Sequence, residues 1–207
     1  MSHADASDAP SYRGKLCTTV LESVRLERWG RGALGRAPDE HVEAIETCRG
    51  LSWLPASALD TLNGASLAEA GREGYVDFWR RYTGRTRDSV LFGPFVSGAF
   101  RIFGMRPEGF LRWVGRAWGA TTRNYGNITF SGGSGFADLS LVDVPPSGRL
   151  ATVAASLEGS LQGVLDLCRH EGRVEADEAR LKSDGVVELR VSWISARTSA
   201  PAGAAAP

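Results

Sequence analysis

The chain has 207 residues, 43% of them hydrophobic, with 24 basic and 24 acidic side chains. That is enough apolar material to bury one core, and a formal net charge of +0 excludes nucleic-acid binding through bulk electrostatics. Three separated cysteines (Cys17, Cys48 and Cys168) form no CxxC pair, so neither a zinc ribbon nor a redox motif is indicated.

Residues 1–12 and 196–207 are small, polar or Pro/Ala-rich and read as loose tails flanking a single domain over 13–195, because they carry too little apolar surface to offset the entropy of ordering. From 16 to 29, Leu16, Val20, Val24 and Leu26 have helical spacing, while the β-branched run Thr18-Thr19-Val20 leaves a strand open. Residues 38–48 predict a helix with Val42 and Ile45 inward. The stretch 51–55 predicts a short extended approach to a helix that turns Leu59, Leu62 and Leu67 inward. Tyr75, Phe78, Trp79 and Tyr82 then form one aromatic stripe on a further helix. Residues 90–103 are apolar around most of a helix and predict the most buried one, interrupted by Arg101. Pro107 starts a helix with Phe110, Val114, Ala117 and Trp118 inward and Arg112 and Arg116 outward.

After Thr121 the period changes to two. Residues 128–130 and 136–142 predict strands around a turn at 131–135. Ser147 is expected to cap a long helix in which Val153, Leu157, Leu161, Val164 and Cys168 keep three/four spacing. A strand begins at Val174, and Asp184-Gly185 has the chemistry of a two-residue hairpin turn. Val187, Leu189, Val191 and Trp193 alternate with Glu188, Arg190 and Ser192 in the clearest strand of the chain. The expected fold class is therefore α+β, a helical layer packed on an antiparallel sheet.

Catalytic patterns are scarce. His3, His41 and His170 have no partner at metal-ligand spacing, and no HExxH or GxSxG occurs. Haem ligation by His41 or His170 stays open in principle. Asp77, Asp88, Asp138 and Asp143 are candidate acids, but capping and strand-edge roles explain them more simply. No catalytic residue, metal site or cofactor is assigned. The polar first ten residues lack the apolar core of a signal peptide, and residues 90–103 are too short and too often broken by Gly and Pro to span a bilayer, so a cytoplasmic protein is expected.

The functional hint is the aromatic and arginine density between 92 and 125. Arg101, set in an apolar helix, needs either an internal carboxylate or an acidic ligand. An aromatic pocket lined by Trp113, Trp118 and Tyr125, with Arg101 or Arg123 fixing an acidic group, is the expected ligand site for an apolar or acidic small molecule. A competing expectation is a homodimeric interaction module using the stripe Tyr75, Phe78, Trp79 and Tyr82. A third is an enzyme acting on an aromatic or isoprenoid substrate.

The order of several features resembles a myxobacterial paralogue family of about this length. More distantly it resembles the ligand-binding fold shared by 4-vinyl reductase-like domains, haem-NO-binding-associated domains and TRAPP subunits. The features are Leu51-Ser52-Trp53-Leu54-Pro55 followed by a helix, the apolar segment 90–103, the stretch from Arg112-Trp113 to Tyr125, Leu157-Glu158-Gly159 in the long helix, and the closing Glu188-Leu189-Arg190-Val191-Ser192-Trp193. The resemblance implies a helical layer on an antiparallel sheet, often dimeric, serving as a sensory or scaffold part that binds apolar or acidic small molecules or proteins. Relatives of the 4-vinyl reductase type carry cysteines near the terminal hairpin, whereas residues 181–188 here hold none.

Overall fold

Strand β1 (Ser11–Arg13) is the centre of a small antiparallel sheet in the computed structural model, which describes residues 8–85, 98 and 106–194. It pairs on one side with β2 (Trp53–Pro55), Tyr12 opposite Leu54, and on the other with β3 (Thr122–Arg123), Tyr12 opposite Thr122. Ser11 and Tyr12 thus belong to the domain rather than to a tail. Tyr12 buries a whole aromatic ring, which more than offsets the cost of ordering the segment.

Helix α1 (Gly14–Arg25) settles the ambiguity at 18–20 in favour of helix: Leu16, Cys17, Val20, Leu21 and Val24 are buried on one face. Leu26 lies past its end and is 78% exposed, against expectation. A short helix not foreseen from its glycine-rich sequence, α2 (Gly30–Arg36), follows, and then α3 (Asp39–Thr47) with Ile45 fully buried. Helix α4 (Ala56–Arg85) is two helical segments broken at Gly71, whose φ of 69° and ψ of 169° suit glycine almost alone. The break separates the Leu59/Leu62 face from the aromatic stripe, as the sequence pattern suggests.

That stripe is not a contact surface. Tyr75, Phe78, Trp79 and Tyr82 are all buried within the chain. They interlock with one another and with Trp29 at ring separations of 5.2–6.4 Å. The expectation of an exposed dimer stripe fails because another helix of the same chain covers it. That helix is α6 (Ala151–Leu167), which packs chiefly against α4. Its Gly159 and Gly163 lie directly against the carbonyls of Val76 and Arg80, and a side chain at either position would collide with that backbone. Ion pairs at the rim, Arg72–Glu158 and Arg80–Asp166, hold the same two helices together.

The larger sheet is antiparallel in the order β4-β5-β7-β6, formed by β4 (Asn127–Gly133), β5 (Phe136–Val142), β6 (Gly172–Asp177) and β7 (Val187–Trp193). Alternation in β7 is as read: Val187, Leu189, Val191 and Trp193 are buried and the residues between them exposed. Helix α6 covers the β6 side, while α5 (Pro107–Thr121) lies over β4. Two local expectations fail. Ser147 falls in a 3-10 turn, Pro146–Gly148, and α6 begins only at Ala151, because Gly148 is pressed onto the Tyr125 ring. Asp184-Gly185 is no two-residue hairpin: α7 (Leu181–Asp184) intervenes and Gly185, at φ 70°, ends it. Arg149 secures this loop by donating to the carbonyls of Val144, Lys182 and Ser183. No helix among the described residues is long and apolar enough to cross a membrane.

Candidate functional site

Helix α5 shows where the core is incomplete. Its inner positions Trp113, Val114, Ala117 and Trp118 are only half-buried although they point toward α4 and α6. They face a cavity of about 230 Å³ bounded by α4, α5, α6 and β1. Trp79 and Tyr82 of α4 form one wall, Phe110, Trp113 and Trp118 of α5 another, and Leu157 and Leu161 of α6 a third. An apolar, aromatic-walled hollow of this kind is the usual form of a small-molecule site.

One end of the cavity is polar. Asp60, 8% exposed, sits one turn into α4, and Asn63, three residues on, lies on the same helical face. The Tyr12 hydroxyl donates to Asp60 Oδ1 at 3.0 Å, and the Tyr125 hydroxyl lies 3.1 Å from Oδ1 and 3.0 Å from Oδ2. The small sheet makes this convergence: β1 delivers Tyr12, and the turn after β3, with Asn124 and Gly126 at positive φ, delivers Tyr125. The two rings pack at 5.0 Å, and Trp118 meets Tyr125 edge-on at 6.0 Å. Burial pushes the Asp60 carboxyl up to about 6, the two hydroxyl donors pulling the other way. Burial, reinforced by the Asp60 charge, holds both tyrosines well above their ordinary range, so each stays a neutral donor.

Two further polar atoms at this end are unserved. Asn63 Oδ1 and Thr152 Oγ1, the latter from the first turn of α6, are buried without a hydrogen-bond partner among the described residues, and both residues line the cavity. Tyr75 and Trp79 also lack a hydrogen bond of good geometry, but they act on each other. Asp60 and Thr152 also border a second, wider hollow on the other side, lined by Pro10, Arg36, Ser57 and Leu150.

The structure distributes the expected site residues unevenly. Trp113 and Trp118 line the cavity, and Tyr125 stands behind its polar end. Arg123 is exposed on β3 and does not line it. Arg101 lies outside the described residues, as does Asp88. Asp77 and Asp138 are ion-paired to Arg81 and Arg190, and Asp143 is exposed. Asp60, which sequence reasoning passed over, is the buried acid. Its signal was present: a carboxylate and an amide three apart, among leucines, on a helix face that has to be inward.

No protein-family profile matches the sequence. No curated protein matches it either. The fold is that of a single α+β domain with helices on antiparallel sheets, and solved structures of H-NOX domains share it. An oxygen-binding H-NOX domain related to soluble guanylate cyclases superposes with a TM-score of 0.59 at 13% identity, covering 88% of this chain and 95% of that one. A variant of the T. tengcongensis H-NOX gives 0.60 at 14% identity, with 88% and 98% covered. A structure concerned with haem distortion in the H-NOX family gives 0.61 at 12% identity, with 88% and 95% covered. At these identities the likeness is one of fold.

The cavity residues do not fit haem. Axial ligands are His, Cys, Met or Tyr, and the described lining holds no His, Cys or Met. His41 meets Thr61 on α3/α4, outside the cavity. His170 belongs to the cap of α6, where its N–H donates to Leu165 and Arg169 takes the left-handed position with φ 57°. Tyr12 and Tyr82 line the cavity, but burial raises both and opposes the phenolate a metal requires. The volume of about 230 Å³ also falls below the roughly 300–1,000 Å³ of sites for larger ligands. Among the described residues, no cluster of His, Cys, Asp or Glu is arranged to hold a metal ion.

Proposed function

We propose that this chain is a non-catalytic, cytoplasmic sensor-type domain that binds a small, largely apolar molecule in the cavity between α4, α5 and α6. The observation carrying this reading is the aromatic cavity with two unserved buried polar atoms, Asn63 Oδ1 and Thr152 Oγ1, at one end. A folded protein rarely leaves such atoms without a partner, and a ligand group supplies one. The resemblance to 4-vinyl reductase-like and TRAPP-subunit domains, and the H-NOX-like fold whose solved examples include an oxygen-binding domain, both support a sensor role. The described walls offer none of the His, Cys or Met donors that haem takes, which favours a ligand other than haem.

Native mass spectrometry before and after denaturation tests the proposal, together with thermal unfolding against a library of fragment-sized aromatic compounds. A co-purifying molecule lost on denaturation, or a compound that raises the melting temperature, is the expected result. Saturation at about 100 times Kd adds roughly 2.7 kcal/mol to the native state. A protein that purifies empty, and that no compound stabilises, overturns the reading.

A further inference from the structure

The polar end of the cavity holds a carboxylate and two unserved oxygens, and no Arg, Lys or His stands among the described residues that line it. Asp60 receives one hydrogen from Tyr12 and one from Tyr125, against roughly four lone-pair sites on a carboxylate. Acceptor capacity therefore remains on Asp60. Asn63 Oδ1 and Thr152 Oγ1 add two unused acceptors to the same lining. The described lining contains no Arg, Lys or His to balance the carboxylate, although buried carboxylates are ordinarily paired with a positive group. Beyond these oxygens lie the rings of Trp79, Tyr82 and Trp118, and aromatic faces attract cations.

Resting on the cavity reading above, we propose that the ligand is a small amine with an aromatic or aliphatic body, its ammonium group held by Asp60, Asn63 and Thr152. An ammonium group carries three hydrogens and no acceptor, which matches in number the three acceptors that α4 and α6 contribute to the lining. A carboxyl pushed up to about 6 is largely ionised at pH 7.5, so the charge that recognises an ammonium group is present there. Tyr12 and Tyr125 are positioning residues: they orient the carboxylate and stay neutral themselves. An acidic ligand, the expectation drawn from Arg101 or Arg123, meets a like charge at this end; Arg123 does not line the cavity, and Arg101 lies outside the described residues. The volume of about 230 Å³ suits a single-ring compound.

The test is titration calorimetry of the intact protein at pH 7.5 with three probes that share a phenylethyl body and differ in the head group: 2-phenylethylamine, 2-phenylethanol and 3-phenylpropanoate. The amine is expected to bind about tenfold more tightly than the alcohol, and the carboxylate not at all, because the Asp60 charge attracts an ammonium group, gains no ion pair with a neutral hydroxyl and repels a second carboxylate. Asp60→Asn removes the charge with little change of shape and is expected to abolish the amine's advantage over the alcohol. The probe series on the unmodified protein gives an answer even where that variant folds poorly. Equal binding of amine and alcohol, or preference for the acid, overturns the amine while leaving the cavity reading standing. Failure of all three to bind also overturns it, and a different compound in the native mass spectrum then keeps the cavity reading alone.

Discussion

Asp60 makes the stability of the fold depend on pH in a way that one substitution isolates. Its ordinary value near 3.8 is raised to about 6 by burial. The folded state therefore prefers the protonated carboxyl more than the unfolded chain does. A group raised in this way contributes stability that is fully present below about 3.8 and is lost as pH rises through about 6. At 1.36 kcal/mol per pH unit, the loss from this group comes to about 3 kcal/mol. Asp60→Asn takes up no proton, and its amide oxygen still accepts from the two tyrosine hydroxyls, so the variant lacks this slope. Urea unfolding of both proteins from pH 3.5 to 7.5 measures it: the stability of the variant minus that of the wild type is expected to increase by about 3 kcal/mol across the range. Surface pairs such as Arg80–Asp166 occur in both proteins and cancel in the difference. A difference that stays constant between pH 3.5 and 7.5 would refute the burial argument for Asp60.

Four other substitutions or probes read separate features. Ala117→Phe fills the cavity from α5 and is expected to leave the fold as stable or up to about 2 kcal/mol more stable while removing ligand-induced thermal shifts; an undiminished shift places the ligand elsewhere. Gly159→Leu drives a side chain into the Val76 carbonyl and the Trp79 side chain, with an expected loss of about 1–3 kcal/mol in chemical denaturation. Gly71→Ala forces a side chain onto a φ of 69° and is expected to cost about 1–3 kcal/mol although open space surrounds the position. Cys17 and Cys168 are buried and pushed up to about 12 by desolvation, so a thiol reagent at pH 8 should react promptly only with half-buried Cys48 and reach the other two on unfolding.

A sensor reading places the signal at the helix interface that the cavity interrupts. Helices α4 and α6 are locked together through Gly159 and Gly163, whereas α5 meets the rest of the helical layer partly across empty space. A ligand bridging Asp60 and Thr152 to the aromatic walls would add contacts to α5 that the empty protein lacks, which is where binding energy could be turned into a change of packing.

The sequence determined the elements whose periodicity is strong. The alternation of Val187, Leu189, Val191 and Trp193 named the most regular strand, and the three/four spacing of Val153, Leu157 and Leu161 named the long helix, because side-chain direction follows directly from backbone period. Binary pattern also located the aromatic helix around Trp79 and the small strand at 53–55. What it left open was the covering of each apolar face. Nothing local distinguishes an aromatic stripe awaiting a partner subunit from one that α6 of the same chain covers, since that depends on Gly159 meeting Val76 more than eighty positions away. The same holds for the chemistry. Tyr12, Asp60, Tyr125 and Thr152 are dispersed along the chain and come together only when β1 pairs with β3 and α4 packs on α6. A buried carboxylate is defined by what surrounds it in space, and tertiary structure alone supplies those surroundings.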